Sequence, residues 1–287
     1  MRKISTGLAL MLLVAGNLSS IFSEAMVKTI GNNDSIFQFI LFRQITAVVI
    51  LLPWCYGSPA KNFKVGIWWH ILRGHVWLIG MFFTVIALTS LPLATASAIF
   101  YAAPLIMLMF ASLFFQETIS RFSIVSVIMG FIGVLIVIRP TELSWAAISA
   151  LLVAFYLAIN NLLIRKLPKE QSVTQTLFMT NLVGIPSALI ATTWENATIQ
   201  FDLFWPAAAS TTFILVYAGF GILAYRAVES HKIAAAEYSG LVSAIIVGIV
   251  MFNEVPDLMT IIGSTIIILP LFFLANINKK SSPVRAT

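Results

Sequence analysis

An all-α protein that crosses a membrane about ten times is the architecture this sequence predicts, and three observations predict it. Hydrophobic residues make up 60% of the 287 positions and charged residues only 10%, with a mean hydropathy of +0.98. Soluble domains carry about 25% charged residues, so a soluble globular fold is excluded. Charged or Pro/Gly-containing breaks then divide the chain into apolar runs, each close to the ~20 residues that span a hydrocarbon core about 30 Å thick. Finally, the chain repeats itself: Ala87, Ser90, Ala94 and Ala96 fall on Ala227, Ser230, Ala234 and Ala236 at one constant offset, and Glu117 meets Glu254 after a short slip. Such self-similarity divides the sequence into halves, residues 1–140 and 141–287.

In order, the runs place helices near residues 5–27, 36–54, 68–89, 93–115 and 121–139 in the first half. The second half gives 143–164, 173–193, 204–228, 233–252 and 256–276. Met1-Arg2-Lys3 before the first run imitates a secretory signal. Its removal would leave the sixth helix without a counterpart, so retention is expected. With the N-terminus cytoplasmic, Lys61, Lys64, Arg121, Arg165, Lys166, Lys169 and most other basic residues fall on the cytoplasmic side, and only Lys28 and Arg139 lie opposite. This asymmetry orients both termini inward, in a bacterial cytoplasmic (inner) membrane. The net charge of +6 is therefore a topology signal, and no nucleic-acid partner is expected. Five spans per half is an odd number, so the two repeats must be inverted relative to one another, which is an architecture of secondary transporters with a site between the repeats.

Three stretches carry a family resemblance: FQFILFRQITAVVILLP at residues 37–53, ALTSLPLATASAIFYAAPL at 87–105, and Glu117 with GFIGVLIVIRP at 130–140. They resemble the EamA family of the drug/metabolite transporter superfamily, over nearly the whole chain and better in the first half. The resemblance implies ten helices in two inverted repeats, a central cavity, and movement of a small metabolite. The stretch RGHVWLIGMFFTVIALTSLPLATASAI is most similar to members described as riboflavin, S-adenosylmethionine or amino-acid transporters.

Ionisable side chains inside a bilayer are costly unless they pair or face water, so each is a functional candidate. Arg43 in the second helix and Glu24 in the first are expected either to pair across their hairpin or to serve substrate binding or gating. Glu24 also stands four residues before Lys28, the spacing of a surface pair. Glu237, one turn inside the ninth helix, suits the helix dipole; with Arg226 it is a candidate cytoplasmic gate or proton-coupling group. Glu117 and Glu254 recur at matched helix ends and are expected to cap the helices that follow.

Uncharged polar groups near the span centres are the candidates for substrate contact: Asn17, Tyr101, Tyr156, Asn160 and Tyr217. An amphipathic ring with a polar tip suits a cavity, although each could equally be a hydrogen bond between helices. Ala94, Ala98, Ala102, Gly130 and Gly133 thin helix faces and read as packing positions. Pro104 should kink the fourth helix and Gly219 and Gly221 should loosen the eighth, which makes them candidate hinges. Trp54, Trp68, Trp69, Trp145, Trp194 and Trp205 mark helix ends, as interfacial anchors do, while Trp77 is internal.

His70 and His75 flank Arg73 without further ligands, so neither a metal nor any other cofactor is expected. No phosphate-cradling GxxxxGK[ST], GxSxG or HExxH motif occurs, which points away from an enzyme and from ATP as the driving force. Expected partners are a small-molecule substrate, the lipid bilayer and protons as coupling ion, with monomer and homodimer both open. A membrane-embedded enzyme and a non-transporting interaction subunit are the alternatives.

Overall fold

The computed structural model describes residues 5–31, 34–56, 65–115, 121–139, 144–163, 166–168, 171–227, 236 and 239–280. Among these the chain is helical, without a strand: α1 (Thr6–Lys28), α2 (Ile36–Tyr56), α3 (Ile67–Ser90), α4 (Leu93–Phe100), α5 (Ala103–Phe115) and α6 (Arg121–Ile138), then α7 (Trp145–Leu163), α8 (Val173–Glu195), a 3₁₀ turn (Phe201–Leu203), α9 (Phe204–Ala227), α10 (Ser239–Phe252) and α11 (Leu258–Lys280). A helix satisfies its own backbone hydrogen bonds, which is why such apolar runs take no other form in lipid.

Six of the described stretches are long and apolar enough to cross a membrane: Thr6–Lys28, Ile36–Cys55, Ile67–Ser90, Trp145–Leu163, Val173–Glu195 and Phe201–Gly221. Shorter apolar helical stretches lie at Leu93–Met107, Val127–Ile138, Ser239–Phe252 and Leu258–Leu269. Polar caps fix several ends. The Ser5 Oγ accepts from the Leu8 N–H, and Ser172 and Gln175 form a reciprocal capping box at the start of α8. Left-handed residues at Arg139, Asn196 and Asn253 close α6, α8 and α10.

The fourth predicted helix is not one kinked span. It breaks into α4 and α5 across Tyr101-Ala102, and Pro104 occupies the first turn of α5. Proline has no N–H to extend α4, but its fixed φ suits the start of a helix. Short-range bonds bridge the break, with the Ala102 N–H donating to Ile99 O at 2.9 Å and the Leu105 N–H to Ala102 O at 3.0 Å. By contrast, α9 runs unbroken through Gly219 and Gly221.

Packing joins the two halves throughout. The closest pairings are α1 with α9, α6 with α11, α2 with α8 and α3 with α7. Around them α2 touches α9, α3 touches α8, α1 touches α10, α4 and α5 touch α7, and α4 touches α10. Small residues allow this approach: a Cβ on Gly133 would come within 2.7 Å of the Gly263 carbonyl oxygen on α11. Phe39, Ile40, Leu88, Leu93, Ile99, Leu241 and Ile267 fill the interior. Met11, Val49, Leu113 and Val250 point outward, and Trp54, Trp68, Trp145, Trp194 and Trp205 are exposed at helix ends. An apolar exterior of this extent suits lipid.

Candidate functional site

Midway along α1, Asn17 is buried and its Nδ2 donates to the Ala236 carbonyl at 2.9 Å and to Ser239 Oγ at 3.1 Å. Tyr101, at the α4–α5 break, brings its hydroxyl to the place a Cβ on Gly240 would occupy, and the Asn17 Cβ lies beside the same point. Gly16, next to Asn17, packs on Tyr217 and Phe220 of α9. Three of the expected polar residues, Asn17, Tyr101 and Tyr217, thus surround the middle of α1. Serines hold α1 to α9 on the same side: Ser19 Oγ donates to Phe213 O at 2.8 Å, and Ser23 and Ser210 bond at 2.8 Å.

Further along α1, half-buried Glu24 accepts a hydrogen bond from Ser97 Oγ of α4 at 2.9 Å. Arg43 of α2 is buried but does not pair with Glu24, contrary to the sequence expectation. Its Nη1 faces the Met81 sulfur at 3.2 Å, and its guanidinium carbon lies 5.9 Å from the Phe39 ring centroid and 5.7 Å from that of Trp77. The Arg43 Nε has no acceptor. Aromatic faces and a polarisable thioether hold the cation here, with Met81 and Trp77 both supplied by α3. Tyr156 of α7 fills the space left by Gly80 of α3.

Asn160, one turn beyond Tyr156, is committed elsewhere. Its Oδ1 accepts from Arg73 Nε at 2.7 Å, and Arg73 Nη1 donates to Thr180 Oγ1 at 3.0 Å. The two histidines beside Arg73 bond to Gln171 and Ser187 of the α8 region, at 2.8 and 2.7 Å. No cluster able to hold a metal occurs among the described residues.

At the end of α1, Lys28 does not pair with Glu24 either. Its Nζ reaches Glu254 Oε1 at 2.8 Å and the carbonyls of Leu88 and Leu91 at 2.9 and 2.6 Å. Glu254 does not cap the following helix: its second oxygen accepts from the Leu93 N–H at 2.7 Å, at the start of α4. Asp257 takes the expected capping role, with Oδ1 accepting from the Thr260 N–H at 2.8 Å. That backbone bond, with help from Arg139, holds the Asp257 carboxyl below the usual range. A cleft of about 190 Å³ opens beside these groups, lined by Pro92, Thr95, Ser144, Arg139 and Asp257 among others. Glu117, Glu237 and the Arg226 side chain lie outside the described residues.

Sequence reasoning missed several of these groups. Nothing in the sequence pattern singles out Ser97 or Arg73 as bonding groups, and the spacing of Lys28 from Glu24 suggests a surface pair instead. The single internal tryptophan, Trp77, was the available signal for the setting of Arg43. Gln44, fully buried with neither amide atom bonded, gave none.

Residues 7–139 match the model of the EamA-like transporter family. Similar proteins extend over both halves. The chain is 28% identical to an S-adenosylmethionine uptake transporter of Rickettsia prowazekii (strain Madrid E), covering 92% of this chain and 91% of the relative. It is 23% identical to the pseudopaline exporter CntI of Pseudomonas aeruginosa, with 89% and 92% covered. A riboflavin transporter of Vibrio cholerae is also 23% identical, with 84% and 83% covered. A solved crystal structure shares the fold with a TM-score of 0.62 at 15% identity, covering 94% of this chain and 99% of that one. Together with the six apolar spans, these matches make the chain an integral membrane protein.

Proposed function

We propose that this chain is a secondary transporter that carries a small organic metabolite across the bacterial cytoplasmic membrane by alternating access. The observation that carries the reading is near-complete coverage by relatives that are named transporters, of S-adenosylmethionine, pseudopaline and riboflavin. In this reading ten helices form two inverted repeats, residues 1–140 and 141–287, with both termini cytoplasmic. The helix pairings support it, because exchanging the first five spans for the second five turns α1–α9 into α7–α3 and α2–α9 into α8–α3.

Asn17, Tyr101, Tyr156 and Tyr217 are the proposed substrate contacts, with Asn160 acting through its bond to Arg73. The α4–α5 break at Pro104 is the proposed hinge, since a helix that is already interrupted can change direction without losing further hydrogen bonds. Gly219 and Gly221 are proposed secondary hinges, and Arg226 with Glu237 a cytoplasmic gate.

Counterflow in proteoliposomes tests the reading. Vesicles loaded with unlabelled S-adenosylmethionine, amino acids or riboflavin should accumulate the labelled counterpart of at least one. Folded protein in tight vesicles that moves none of them would refute transport and favour an enzyme or an interaction subunit.

A further inference from the structure

We propose that Arg73 of α3, together with Asn160 of α7, receives an oxyanion, the carboxylate or phosphate of the solute that the protein carries. This rests on the transporter reading and specifies a group its substrate bears. Arg73 is 9% exposed and lies about 9 Å along α3 from Ile67, inside an apolar span. Its Nε donates to Asn160 Oδ1 at 2.7 Å and its Nη1 to Thr180 Oγ1 at 3.0 Å. Both partners are neutral, and no carboxylate pairs with Arg73 among the described residues. A guanidinium stays protonated in proteins. A buried cation without a counter-ion is costly, and within a span it marks a path for a solute or an ion.

The capacity left over at this cluster is donor capacity. Among the described residues Nη2 of Arg73 has no partner, since Nε and Nη1 make its bonds. Only the oxygen of an amide can face a guanidinium donor, so Arg73 fixes which way Asn160 points. The Asn160 Nδ2 is turned elsewhere, buried and without an acceptor. Thr180 donates its own proton to the Thr176 carbonyl at 2.8 Å and so offers Arg73 a lone pair. A cation would be repelled here, and a neutral hydroxyl would leave the charge uncompensated. A carboxylate or phosphate supplies both the charge and the lone pairs, and its geometry matches the planar fork.

The α3–α7 seam connects this cluster to a proposed substrate contact. Gly80 is two turns further along α3, about 10 Å, and the Tyr156 ring fills the space beside it. Tyr156 in turn stands one turn before Asn160 on α7. An oxyanion on Arg73 and a ring or apolar body beside Tyr156 are therefore within the reach of one metabolite. A phospholipid carries the same oxyanion, but its phosphate lies outside the hydrocarbon core, whereas Arg73 lies well inside its span. That depth favours the solute.

The test uses the full-length protein, in detergent for ligand-induced thermal shift and in proteoliposomes for counterflow. Two probe pairs differ by the oxyanion: methionine against 3-(methylthio)propylamine, which lacks the carboxylate, and flavin mononucleotide against riboflavin, which lacks the phosphate. In at least one pair the oxyanion should improve binding at least ~10-fold, about 1.4 kcal/mol. Arg73→Gln should remove that advantage and leave the truncated probe within about 2-fold. Arg73→Lys, which keeps the charge without the fork, should retain part of it. Asn160→Asp supplies the guanidinium with a built-in carboxylate, so this variant should melt no lower than the wild type and lose its response to oxyanions. Discrimination that survives Arg73→Gln or, where that variant does not fold, Asn160→Asp would make Arg73 a structural cross-link and overturn the assignment. So would a wild type that distinguishes neither pair; riboflavin counterflow in that case would leave the transporter reading standing. Oxyanion binding that depends on Arg73 but is accompanied by no flux would keep the site and refute transport. Phosphatidylglycerol added to the detergent is the lipid arm: an Arg73-dependent shift with it, and with no soluble probe, would overturn the solute as the source of the oxyanion.

Discussion

Glu24 and Lys28 stand one helical turn apart on α1, and the protein treats their charges in opposite ways. Lys28 ends in a closed set of oxygens: the Glu254 carboxylate and the carbonyls of Leu88 and Leu91. Its side chain is 10% exposed and that of Glu254 20%, so the pair is largely withdrawn from solvent yet fully bonded. Glu24 receives one hydroxyl, and Arg43 on α2 receives a thioether and two rings. The first arrangement fastens α1, the α3–α4 connection and the α10–α11 connection together. The second leaves charge waiting for a partner. Satisfied charges mark where this fold is held, and Glu24 and Arg43 keep bonding capacity that the fold does not use.

Breaking the satisfied set should have the largest effect on stability. Glu254→Ala strands the Lys28 ammonium and the Leu93 N–H together. Loss of one partner from a buried pair costs roughly 3–5 kcal/mol. Thermal unfolding in detergent should show a large fall in melting temperature, most of it recovered in a Lys28→Met/Glu254→Met double variant. An unchanged melting temperature for Glu254→Ala would mean that the cluster is not holding the fold.

The next effect compares glycines that differ in their surroundings. A methyl group on Gly133 would press on the Gly263 carbonyl and on Ile267. Because backbone cannot swing aside as a side chain can, Gly133→Ala should cost about 1–3 kcal/mol. Gly219 and Gly221 are the opposite case, with no atom near an added Cβ. Alanine at either should stabilise α9 by up to about 1 kcal/mol through helix propensity and a less flexible unfolded chain. A stabilised Gly219→Ala/Gly221→Ala variant with unimpaired counterflow would remove both from the list of hinges.

The same contrast explains what the sequence could reveal. Helix positions were legible because a span advertises itself locally, through apolar length and charged ends. The break at Tyr101-Ala102 was not, since a proline at position 104 is compatible with a kink or with a new helix start. Pairings between distant helices were hidden as well. Lys28 and Glu254 are far apart in sequence, and the rotation of each helix decides whether Lys28 meets Glu24, its neighbour at i−4, or a carboxylate from the other half. For Arg43 the sequence identified a charge that needed an explanation but proposed the wrong neighbour. Asn17, Tyr101 and Tyr217 do lie close together, yet their spacing alone did not distinguish them from Asn160, which Arg73 engages.

The smallest effect separates two roles within one exposed residue. Asp257 caps α11 through Thr260 and meets Arg139 at the surface. A surface ion pair contributes about 0–1 kcal/mol, whereas loss of an N-cap costs about 1 kcal/mol. Asp257→Asn, which keeps the capping oxygen, should therefore lower the melting temperature less than Asp257→Ala at neutral pH. Because the folded carboxyl titrates below its ordinary value, its charge-dependent stabilisation is present above about pH 4. It is lost as the pH falls through the lowered value. The difference between wild type and Asp257→Asn should therefore shrink on acidification, while the deficit of Asp257→Ala relative to Asp257→Asn persists. Equal melting temperatures for the two variants at pH 7 would assign the contribution of Asp257 to the Arg139 pair rather than to the cap.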